Sequence, residues 1–367
     1  MNVEDFLKLV SIPAETFCEE ERAHYIADKF KDFGNICVIT DEVNNVIVIP
    51  DGLKTPAVLV SAHLDTVFAD KYIDIVRENG NIMAPGAGDD TANVYVLLCV
   101  LTDMLEKNEF PENVIVAFNS CEEGKGNLIG INRVLDRLSG KISAHIAFDL
   151  TYNHIINRAL GSVRYEVKIS TRGGHSFNAF GVPNAIAVAS KIISEIYDID
   201  VSNHEFTTYN VGLIEGGISV NTIADSVRFL YEVRSASYKN MKDIDSTIHK
   251  IIDKFSGDEV EIKVKETGRR PCGGDGIKEE IDALTKICEN AVSLYAKMPT
   301  YSIGSTDCNA SVARNIPAVC VGCYNGGGEH TYNEWVEESS IYTGYDICKK
   351  IIEDVSKYIK RHEVPFL

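Results

Sequence analysis

Basic residues are scarce in this sequence, and their scarcity excludes one class of partner. The chain has 36 Lys+Arg against 54 Asp+Glu, which gives a formal net charge of −18 at pH 7. A nucleic-acid ligand needs a basic face opposite its phosphate groups. We therefore expect no nucleic-acid partner, and we interpret the excess of acids as a contribution to solubility.

Long apolar runs are missing as well. A helix needs roughly 18 to 20 consecutive apolar residues to cross a bilayer, and the sequence has no such run, so we expect no membrane partner. The opening MNVEDFLKLVSIPAE has no basic start followed by an apolar stretch, which argues against a signal or transit peptide. Ten cysteines without an export signal are typical of a reducing compartment. These absences together predict a cytoplasmic protein.

Two of the cysteine positions carry specific expectations. The segment CVGC, Cys320 to Cys323, has the spacing of a redox motif. Because it lies on a predicted strand, two buried thiols are favoured over a disulfide couple. Cys121 directly precedes an acidic pair, and we hypothesise that its oxidation would disturb Glu122.

The sequence does contain a series of short apolar runs separated by helical periodicity. The runs ICVIT, VIVIP, AVLVSAH and NVIVAFN indicate strands, and the apolar positions between Thr91 and Glu106 recur at helical spacing. Strands without polar alternation are typical of parallel sheets covered by helices. At 367 residues, 45% of them hydrophobic, the chain exceeds one typical domain. We predict an α/β fold whose mostly parallel sheet is flanked by helices.

The pattern changes after Asp149. SVRYEVKIST alternates apolar and polar residues, which predicts a strand with one solvated face. A helix from Pro183 to Tyr197, with the proline in its first turn, and further strands up to EVEIKVKE complete an α+β unit. We predict an inserted domain at 161–268, within a discontinuous domain formed by 1–160 and 269–367.

Acidic and imidazole side chains stand where the predicted strands end. In open α/β sheets, functional side chains collect at the carboxyl ends of the strands. Packed carboxylates repel one another unless a cation binds them, and imidazole and carboxylate groups are zinc ligands. A carboxylate shared by two ions, with a second carboxylate beside a metal-activated water, would suit hydrolysis. The candidates come from five segments: His63 and Asp65; Asp89 and Asp90; Glu122 and Glu123; Asp149; and His330.

Taken singly, these motifs are weak. A His-x-Asp sequence at a strand end is more often a hydrogen-bonded structural pair, and two adjacent acids are more often a solvated helix start. GAGDDT lacks the third glycine of the dinucleotide-binding fingerprint, and its acids would repel a pyrophosphate. The ordering of all five segments on strand ends is what favours a metal site.

The motifs HLD, PGAGDD, CEEG, FDL, GGHS and GGGEHTYNEWV, in this order, resemble those of the co-catalytic zinc exopeptidases. That family includes peptidase T, glutamate carboxypeptidase, aminoacylase and succinyl-diaminopimelate desuccinylase. The resemblance extends over nearly the whole chain, and HTYNEWV is most similar to the peptidase T-like branch. It implies that the discontinuous domain is the catalytic metallopeptidase domain. It also implies that 161–268 is a lid and dimerisation domain, and hence a homodimer.

The resemblance further implies a role for each motif residue at the strand ends. Asp89 would bridge two divalent metal ions, for which zinc is the default and manganese or cobalt are alternatives. Glu122 would be the general base, and Asp65 would orient the His63 ring. The implied metal ligands are His63 and Asp149 on one ion, Glu123 and His330 on the other, and Asp89 on both.

Four further residues are implied to act on the substrate. His175 of GGHS would enter the active site of the second subunit and support the oxyanion, although a histidine in such a turn can instead cap the following segment. Asn221 matches a family position near the substrate, with a structural turn as the alternative. Arg270 and Ser305 of the GSTD loop would anchor a substrate carboxylate, because guanidinium and loop N–H groups bind that ion.

The chain departs from the family pattern after the two aspartates. Many relatives read Asp-Asp-Lys-Ala-Gly where this chain has Asp89-Asp90-Thr91-Ala92-Asn93. No implied metal ligand changes, so we expect activity with an altered local charge. The remaining histidines match no motif position, and we expect structural or surface roles for His24, His145, His154, His204, His249 and His362.

The sequence therefore predicts a binuclear metal-dependent exopeptidase of the peptidase T-like kind, acting on di- or tripeptides through metal-activated water and a glutamate base. An amidohydrolase of N-acyl amino acids is the alternative, because the same site cleaves either bond. A catalytically silent binding protein is a third interpretation. The presence of every implied ligand and of Glu122 argues against it.

Overall fold

The computed structural model describes residues 1–361, apart from the side chain of Asp275, and the chain divides into two compact units. The inserted unit is Leu160–Gly273, and the main unit is Met1–Ala159 together with the described part of Gly274–Leu367. Each unit has its own buried apolar cluster. Within residues 1–361, no helix has the length and apolar character needed to cross a bilayer.

The helices and strands follow one another along the chain in three blocks. Before the inserted unit, the helices are α1 (Val3–Val10), α2 (Glu20–Asp28), α3 (Asn93–Glu106) and α4 (Ile129–Arg137). The strands of that block are β1 (Ile36–Thr40), β2 (Val46–Pro50), β3 (Ala57–His63), β4 (Val76–Glu78), β5 (Asn81–Met83), β6 (Val114–Asn119), β7 (Ile142–Ala147) and β8 (His154–Ala159). The inserted unit contains β9 (Gly161–Ser170), β10 (Gly174–His175), α5 (Ala185–Tyr197), β11 (Thr207–Gly216), β12 (Thr222–Ile223), β13 (Ser226–Ser235), α6 (Tyr238–Asp253) and β14 (Glu261–Arg270). The last block contains α7 (Lys278–Tyr295), β15 (Thr300–Gly304), α8 (Cys308–Val312), β16 (Ala318–Val321), β17 (Gly326–Gly327), β18 (Trp335–Glu337) and α9 (Ser340–Arg361).

Eight strands of the main unit form one sheet in the order β1-β2-β6-β3-β7-β16-β8-β15. Strand β3 pairs in parallel with β6 and with β7, β16 pairs in parallel with β7, and β15 pairs in parallel with β8. The pairs β1–β2, β2–β6 and β8–β16 are antiparallel. The predicted α/β fold with a mostly parallel sheet flanked by helices is confirmed.

Helices cover both faces of the central strand β3. All seven of its residues are buried. Val58 and Val60 belong to the apolar cluster that includes residues of α3 and α9, whereas Leu59 belongs to the cluster that includes residues of α4. Successive side chains of a strand point to opposite faces, so both faces are buried. This explains why the sequence of β3 shows no polar alternation.

A smaller antiparallel sheet of the main unit has the order β17-β18-β5-β4. Strand β18 pairs with β5 through Trp335 opposite Met83 and Val336 opposite Ile82. The loop between β17 and β18 carries His330, and the chain leaving β5 leads to Asp89. This sheet therefore brings a histidine near the end of the chain next to an aspartate from its first quarter.

The inserted unit is built on four antiparallel strands in the order β11-β13-β9-β14. Its core combines inward-facing residues of the sheet, such as Val167 and Phe229, with Ile192 of α5 and Ile248 of α6. The alternation seen in the sequence of β9 is therefore that of a sheet with helices on one face. A short ladder pairs β10 with β12.

Two of the predicted helix starts and ends are wrong. Pro183 lies before helix α5, because the Asn184 side chain caps the helix and accepts two backbone N–H groups of its first turn, at 2.9 and 3.3 Å. The apolar residues Ala23, Ile26, Ala27 and Phe30 fall on one helical face and predict a helix over Cys18–Phe33, but α2 ends at Asp28. The chain then continues in tighter turns whose backbone bonds span three residues.

Candidate metal centre

The candidate site lies at the carboxyl ends of the central parallel strands. Strand β3 ends at His63, which is in register with Asn119 at the end of β6, and the loop after β6 carries Glu122 and Glu123. Strand β7 ends just before Asp149. Because β3 pairs in parallel with both neighbours, these three strand ends deliver their polar side chains to one edge of the sheet.

Two groups of potential metal ligands share Asp89. Its Oδ1 lies 3.0 Å from His63 Nε2, and its Oδ2 lies 3.3 Å from His330 Nε2. Glu123 Oε1 lies 2.7 Å from the same His330 nitrogen. The two oxygens of one carboxylate thus face different groups, as those of a bridging ligand would. Within each group, one donor atom of every residue lies within 4.8 Å of those of the others. The first group is His63, Asp89, Asp90 and Asp149, and the second is Asp89, Glu123 and His330.

Strong charge interactions mark this cluster. Burial lowers the pKa of His63, but Asp90 and the other carboxylates around the ring outweigh it and raise that pKa well above 6.5. Hydrogen bonds to Asp89 and Glu123 raise the pKa of His330 to about 11. Burial raises the pKa of the Glu123 carboxyl. The electrostatic potential at this cluster is therefore strongly negative. It favours the binding of a cation in place of the protons on the His63 and His330 rings.

Asp149 provides an independent reason to expect a bound ion. Its Oδ1 is buried, accepts no hydrogen bond and lies 3.8 Å from His63 Nε2. Leaving a buried carboxylate oxygen without a partner is costly. A divalent ion held by imidazole and carboxylate donors would satisfy it. The residues present therefore fit a pair of metal ions.

Asp65 ties the acidic pair to the end of β3. Its Oδ1 accepts the backbone N–H of Glu122 and its Oδ2 that of Glu123, both at 2.9 Å. Oδ2 also accepts the Thr16 hydroxyl at 2.9 Å. The main-chain oxygen of Asp65 lies 3.0 Å from His63 Nδ1, whereas its carboxylate lies 3.6 Å away. The backbone of Asp65 therefore makes the shorter contact with the ring, and its side chain fixes the loop that carries both glutamates.

Glu122 lies beside this group and is itself buried, with 4% of its surface exposed. One of its carboxylate oxygens, one of Glu123 and a ring nitrogen of His63 lie within 4.8 Å of one another. The two adjacent glutamates therefore both reach the cluster. This arrangement permits one of them to hold an ion while the other exchanges a proton.

Asp90 and Asn93 are joined in a hydrogen-bond network behind the site. Asn93 Nδ2 donates to Asp90 Oδ1 at 2.6 Å and to the Leu150 carbonyl at 2.9 Å, and its Oδ1 accepts the Cys323 N–H at 2.5 Å. Asp90 Oδ2 accepts the backbone N–H of His63 at 2.8 Å. Both oxygens of Asp90 are thus engaged, so its geometry suits a residue that positions His63. The asparagine that replaces a family glycine links three segments of the site.

Glu334 is a residue of this centre that sequence reasoning missed. Its side chain is buried, with Oε1 accepting the Gly88 N–H at 2.7 Å and Oε2 accepting the Gly86 N–H at 2.9 Å. Burial raises its pKa to about 7. The signal in the sequence was its place in HTYNEWV, directly before the short strand β18.

His175 and Asn221 lie together in the inserted unit. The ladder of β10 and β12 pairs His175 with Thr222, and the Ser176 N–H donates to the Asn221 carbonyl at 3.0 Å. His175 Nδ1 accepts the Phe177 N–H at 3.3 Å. The local capping contact that was the alternative for His175 is therefore present.

The two expected anchors lie in different units. Arg270 ends strand β14 of the inserted unit, and its side chain is buried. Ser305 lies in the main unit, between β15 and α8. In the same loop, the Thr306 N–H donates to Asn309 Oδ1 at 3.0 Å. The Thr306 N–H is therefore engaged within its own loop, and the role of Arg270 and Ser305 as anchors stays a prediction.

The histidines outside the motifs vary in burial. His24 and His154 are exposed, and the His249 ring packs edge-on against Tyr165 with 5.0 Å between the centroids. His145 is buried between two serine hydroxyls. His204 is half-buried, and His362 lies outside the described residues. The expectation for CVGC is confirmed, because Cys320 and Cys323 are both buried and free.

Comparison with known proteins identifies the family. The family model described as peptidase family M20/M25/M40 matches residues 59–354, more than half of the chain. The chain belongs to this family. It is therefore an enzyme of the metallopeptidase class, which confirms the resemblance carried by the motifs.

Individual M20 relatives match nearly the full length. The uncharacterised protein YqjE of Bacillus subtilis is 27% identical over 382 residues, covering 97% of this chain and 98% of YqjE. The crystal structure of aminopeptidase PepT from Bacillus cereus matches with a TM-score of 0.78 at 23% identity, covering 96% of this chain and 97% of that one. A tripeptidase from Staphylococcus aureus matches with a TM-score of 0.79 at 22% identity, covering 97% and 98%. The two structures share the fold of this M20 protein.

Proposed function

We propose that this M20 metallopeptidase is a peptidase T-like exopeptidase that uses two divalent metal ions to hydrolyse di- or tripeptides. The observation that carries the proposal is the position of Asp89, whose two oxygens lie 3.0 Å from His63 Nε2 and 3.3 Å from His330 Nε2. His63 and Asp149 would hold one ion with Asp89, and Glu123 and His330 would hold the other. Zinc suits this nitrogen and oxygen donor set, as manganese and cobalt also do.

The bound ions would polarise the scissile carbonyl and lower the pKa of a water molecule. Glu122 would accept the proton of the attacking water and deliver it to the nitrogen that leaves as the C–N bond breaks. Asp65 would keep Glu122 in place through the 2.9 Å bond to its backbone N–H. The position of Glu122 supports this role, because its buried carboxylate lies beside His63 and Glu123, within reach of the cluster that would hold the ions.

The inserted unit would be the lid and the dimerisation domain of a homodimer, and it would supply His175, Asn221 and Arg270. His175 of one subunit would donate a hydrogen bond to the oxyanion in the site of the other subunit. Asn221 would contact the substrate, and Arg270 and Ser305 would hold its terminal carboxylate. The neighbouring positions of His175 and Asn221 support a shared task for these two residues.

Metal content and substrate choice test the proposal directly. We expect two equivalents of divalent metal per chain, loss of activity after dialysis against a chelator, and recovery with zinc, manganese or cobalt. A panel of tripeptides, dipeptides, N-acetyl amino acids and N-succinyl amino acids then separates the exopeptidase from the amidohydrolase. Hydrolysis of the N-acyl amino acids alone would overturn the peptidase assignment, and a metal-free active protein would overturn the mechanism.

A mixing experiment tests the role of His175 across subunits. His175→Ala and Glu122→Gln would each be inactive alone. If His175 acts in the second subunit, a heterodimer of the two variants contains one site with both groups intact, so co-expression should restore activity. If His175 acts within its own subunit, the heterodimer has no complete site and stays inactive.

A further inference from the structure

Arg22 is a buried cation of the main unit that no motif singles out. It lies on helix α2, and 1% of its surface is exposed. Removing a guanidinium group from water is expensive unless hydrogen bonds and opposite charges compensate for it. The hydrogen bonds and charged neighbours of Arg22 therefore indicate its structural role.

The guanidinium group fastens two segments of the candidate metal centre to each other. Nη1 donates to the Leu64 carbonyl at 2.8 Å and to the Thr91 hydroxyl at 3.1 Å, and Nη2 donates to the Ile12 carbonyl at 2.7 Å. Leu64 directly follows His63, and Thr91 lies two residues after Asp89. One side chain thus holds the strand end that carries His63 against the turn that carries Asp89.

The charge of Arg22 is also matched by its surroundings. Burial lowers its pKa to about 10, and the carboxylates of Asp65, Asp90 and Glu19 act in the opposite direction. The side chain remains charged at neutral pH. All three of these acids are buried, and Asp65 and Asp90 make the backbone contacts that hold Glu122, Glu123 and His63 in place. Burial raises the pKa values of Asp90 and Glu19, and a permanent cation beside these carboxylates acts against that effect by favouring their charged forms.

We propose that Arg22 is a positioning residue of the metal centre, and that the site requires a buried positive charge between Leu64 and Thr91 rather than the arginine side chain as such. The proposal rests on the proposed function, because it assigns Arg22 to the support of a centre that binds metal. It predicts that the charge can be supplied from the opposite side of the same contact.

Thr91 is the position from which a second residue can supply that charge. It is fully buried, and its hydroxyl accepts the Arg22 bond. A lysine at this position would begin where the guanidinium group now ends, and its longer stem would carry an ammonium group into the space that a shortened, neutral residue 22 vacates. The two cations cannot share that space without repulsion.

The experiment is a double-mutant cycle that moves the positive charge from residue 22 to residue 91 and measures metal affinity. The variants are Arg22→Met, Thr91→Lys, the Arg22→Met/Thr91→Lys double variant and the uncharged control Arg22→Met/Thr91→Met. The dissociation constant of zinc is measured by competition with a chelating dye, and the melting temperature of each metal-free protein is recorded beside it. Substitutions behind metal ligands typically weaken metal binding about 10–100-fold, and we expect a loss of that size for Arg22→Met.

The proposal predicts that Thr91→Lys changes zinc affinity in opposite directions in the wild type and in Arg22→Met. In the wild type the added lysine should weaken zinc binding, because it places a second cation beside Arg22. In the Arg22→Met background it should restore zinc binding to within about tenfold of the wild type, whereas Thr91→Met should not. If Arg22→Met fails to fold, recovery of folding by lysine but not by methionine at position 91 supports the proposal equally.

Three results would overturn the proposed role of Arg22. Wild-type zinc affinity in Arg22→Met would show that the cation is dispensable, while the proposed function stands. Equal behaviour of lysine and methionine at position 91 in the double variants, folded or unfolded, would show that packing rather than charge matters. A wild-type protein that binds no metal would remove the proposed function and this inference together.

Discussion

The backbone N–H of Asp89 donates to Glu334 Oε1 at 2.6 Å. The same carboxylate accepts the N–H groups of Gly88 and Gly86, so it binds the whole turn that presents Asp89. Glu334 lies four residues after His330, at the end of the same β17–β18 loop that carries this histidine. One carboxylate therefore fixes the distance between the two halves of the candidate metal centre.

Glu334→Gln should weaken metal binding. A glutamine offers one acceptor oxygen, and its NH₂ group would face N–H donors, so at least one backbone N–H of the turn loses its partner at a cost of about 1–3 kcal/mol. We expect zinc affinity to fall about 10–100-fold in chelator competition. Glu338→Gln is the matched control, because that glutamate pairs with Arg77 on a more exposed part of the same segment. Equal losses in the two variants would argue against a specific role for Glu334.

Substitutions of the two adjacent glutamates should affect turnover and metal binding separately. Glu122→Gln should keep both metal ions and lose about 10²–10⁴-fold in kcat, because it removes only the proton acceptor. Glu123→Gln should instead lose metal, because Glu123 Oε1 lies 2.7 Å from His330 Nε2 within the ligand group. Elemental analysis beside steady-state kinetics measures both effects. Loss of metal from Glu122→Gln with a normal content in Glu123→Gln would reverse the assignment.

The part of the site that the sequence predicts best comes from the fully buried strands. Strands β3 and β6 are buried on both faces, so a polar side chain at their ends is anomalous and draws attention to His63, Glu122 and Glu123. If these strands pair in parallel, their ends are predicted to lie together even before the tertiary structure is known. His330 has no such strand directly before it, and its place depends on the family resemblance.

The elements that sequence reasoning missed are short or use long-range contacts. Strands β4, β5, β17 and β18 have two or three residues each, which is too few for a periodic pattern. Glu334 and Arg22 resemble surface residues of a helix or strand until the fold encloses them. Their function lies in bonds to Gly86, Leu64 and other backbone groups distant in sequence, and local propensity carries no signal for such bonds.

Cys121 should be chemically inert in the folded protein. Burial, assisted by the nearby Glu19 carboxyl, raises the pKa of its thiol to about 12, and the thiolate is the reactive form. Iodoacetamide at pH 8 should therefore modify the exposed Cys18 and Cys37 but not Cys121, as measured by peptide mass spectrometry. This burial argues against the hypothesis that oxidation of Cys121 disturbs Glu122. Alkylation of Cys121 at the rate of Cys37 in native protein would contradict the prediction.

His145 should make the folded state sensitive to acid. Its ring lies 2.8 Å from the hydroxyls of Ser61 and Ser311, and burial lowers its pKa to about 3. An unfolded histidine titrates near pH 6.5, so below that pH the unfolded chain binds a proton that the folded chain does not. Stability is complete above about pH 6.5 and falls with the pH, by about 2 kcal/mol at pH 5. His145→Gln cannot titrate, so its free energy of urea unfolding should decrease less between pH 7 and 5 than that of the wild type. His154→Gln, at an exposed position, should keep the wild-type dependence, and a wild-type dependence in His145→Gln would refute the assignment.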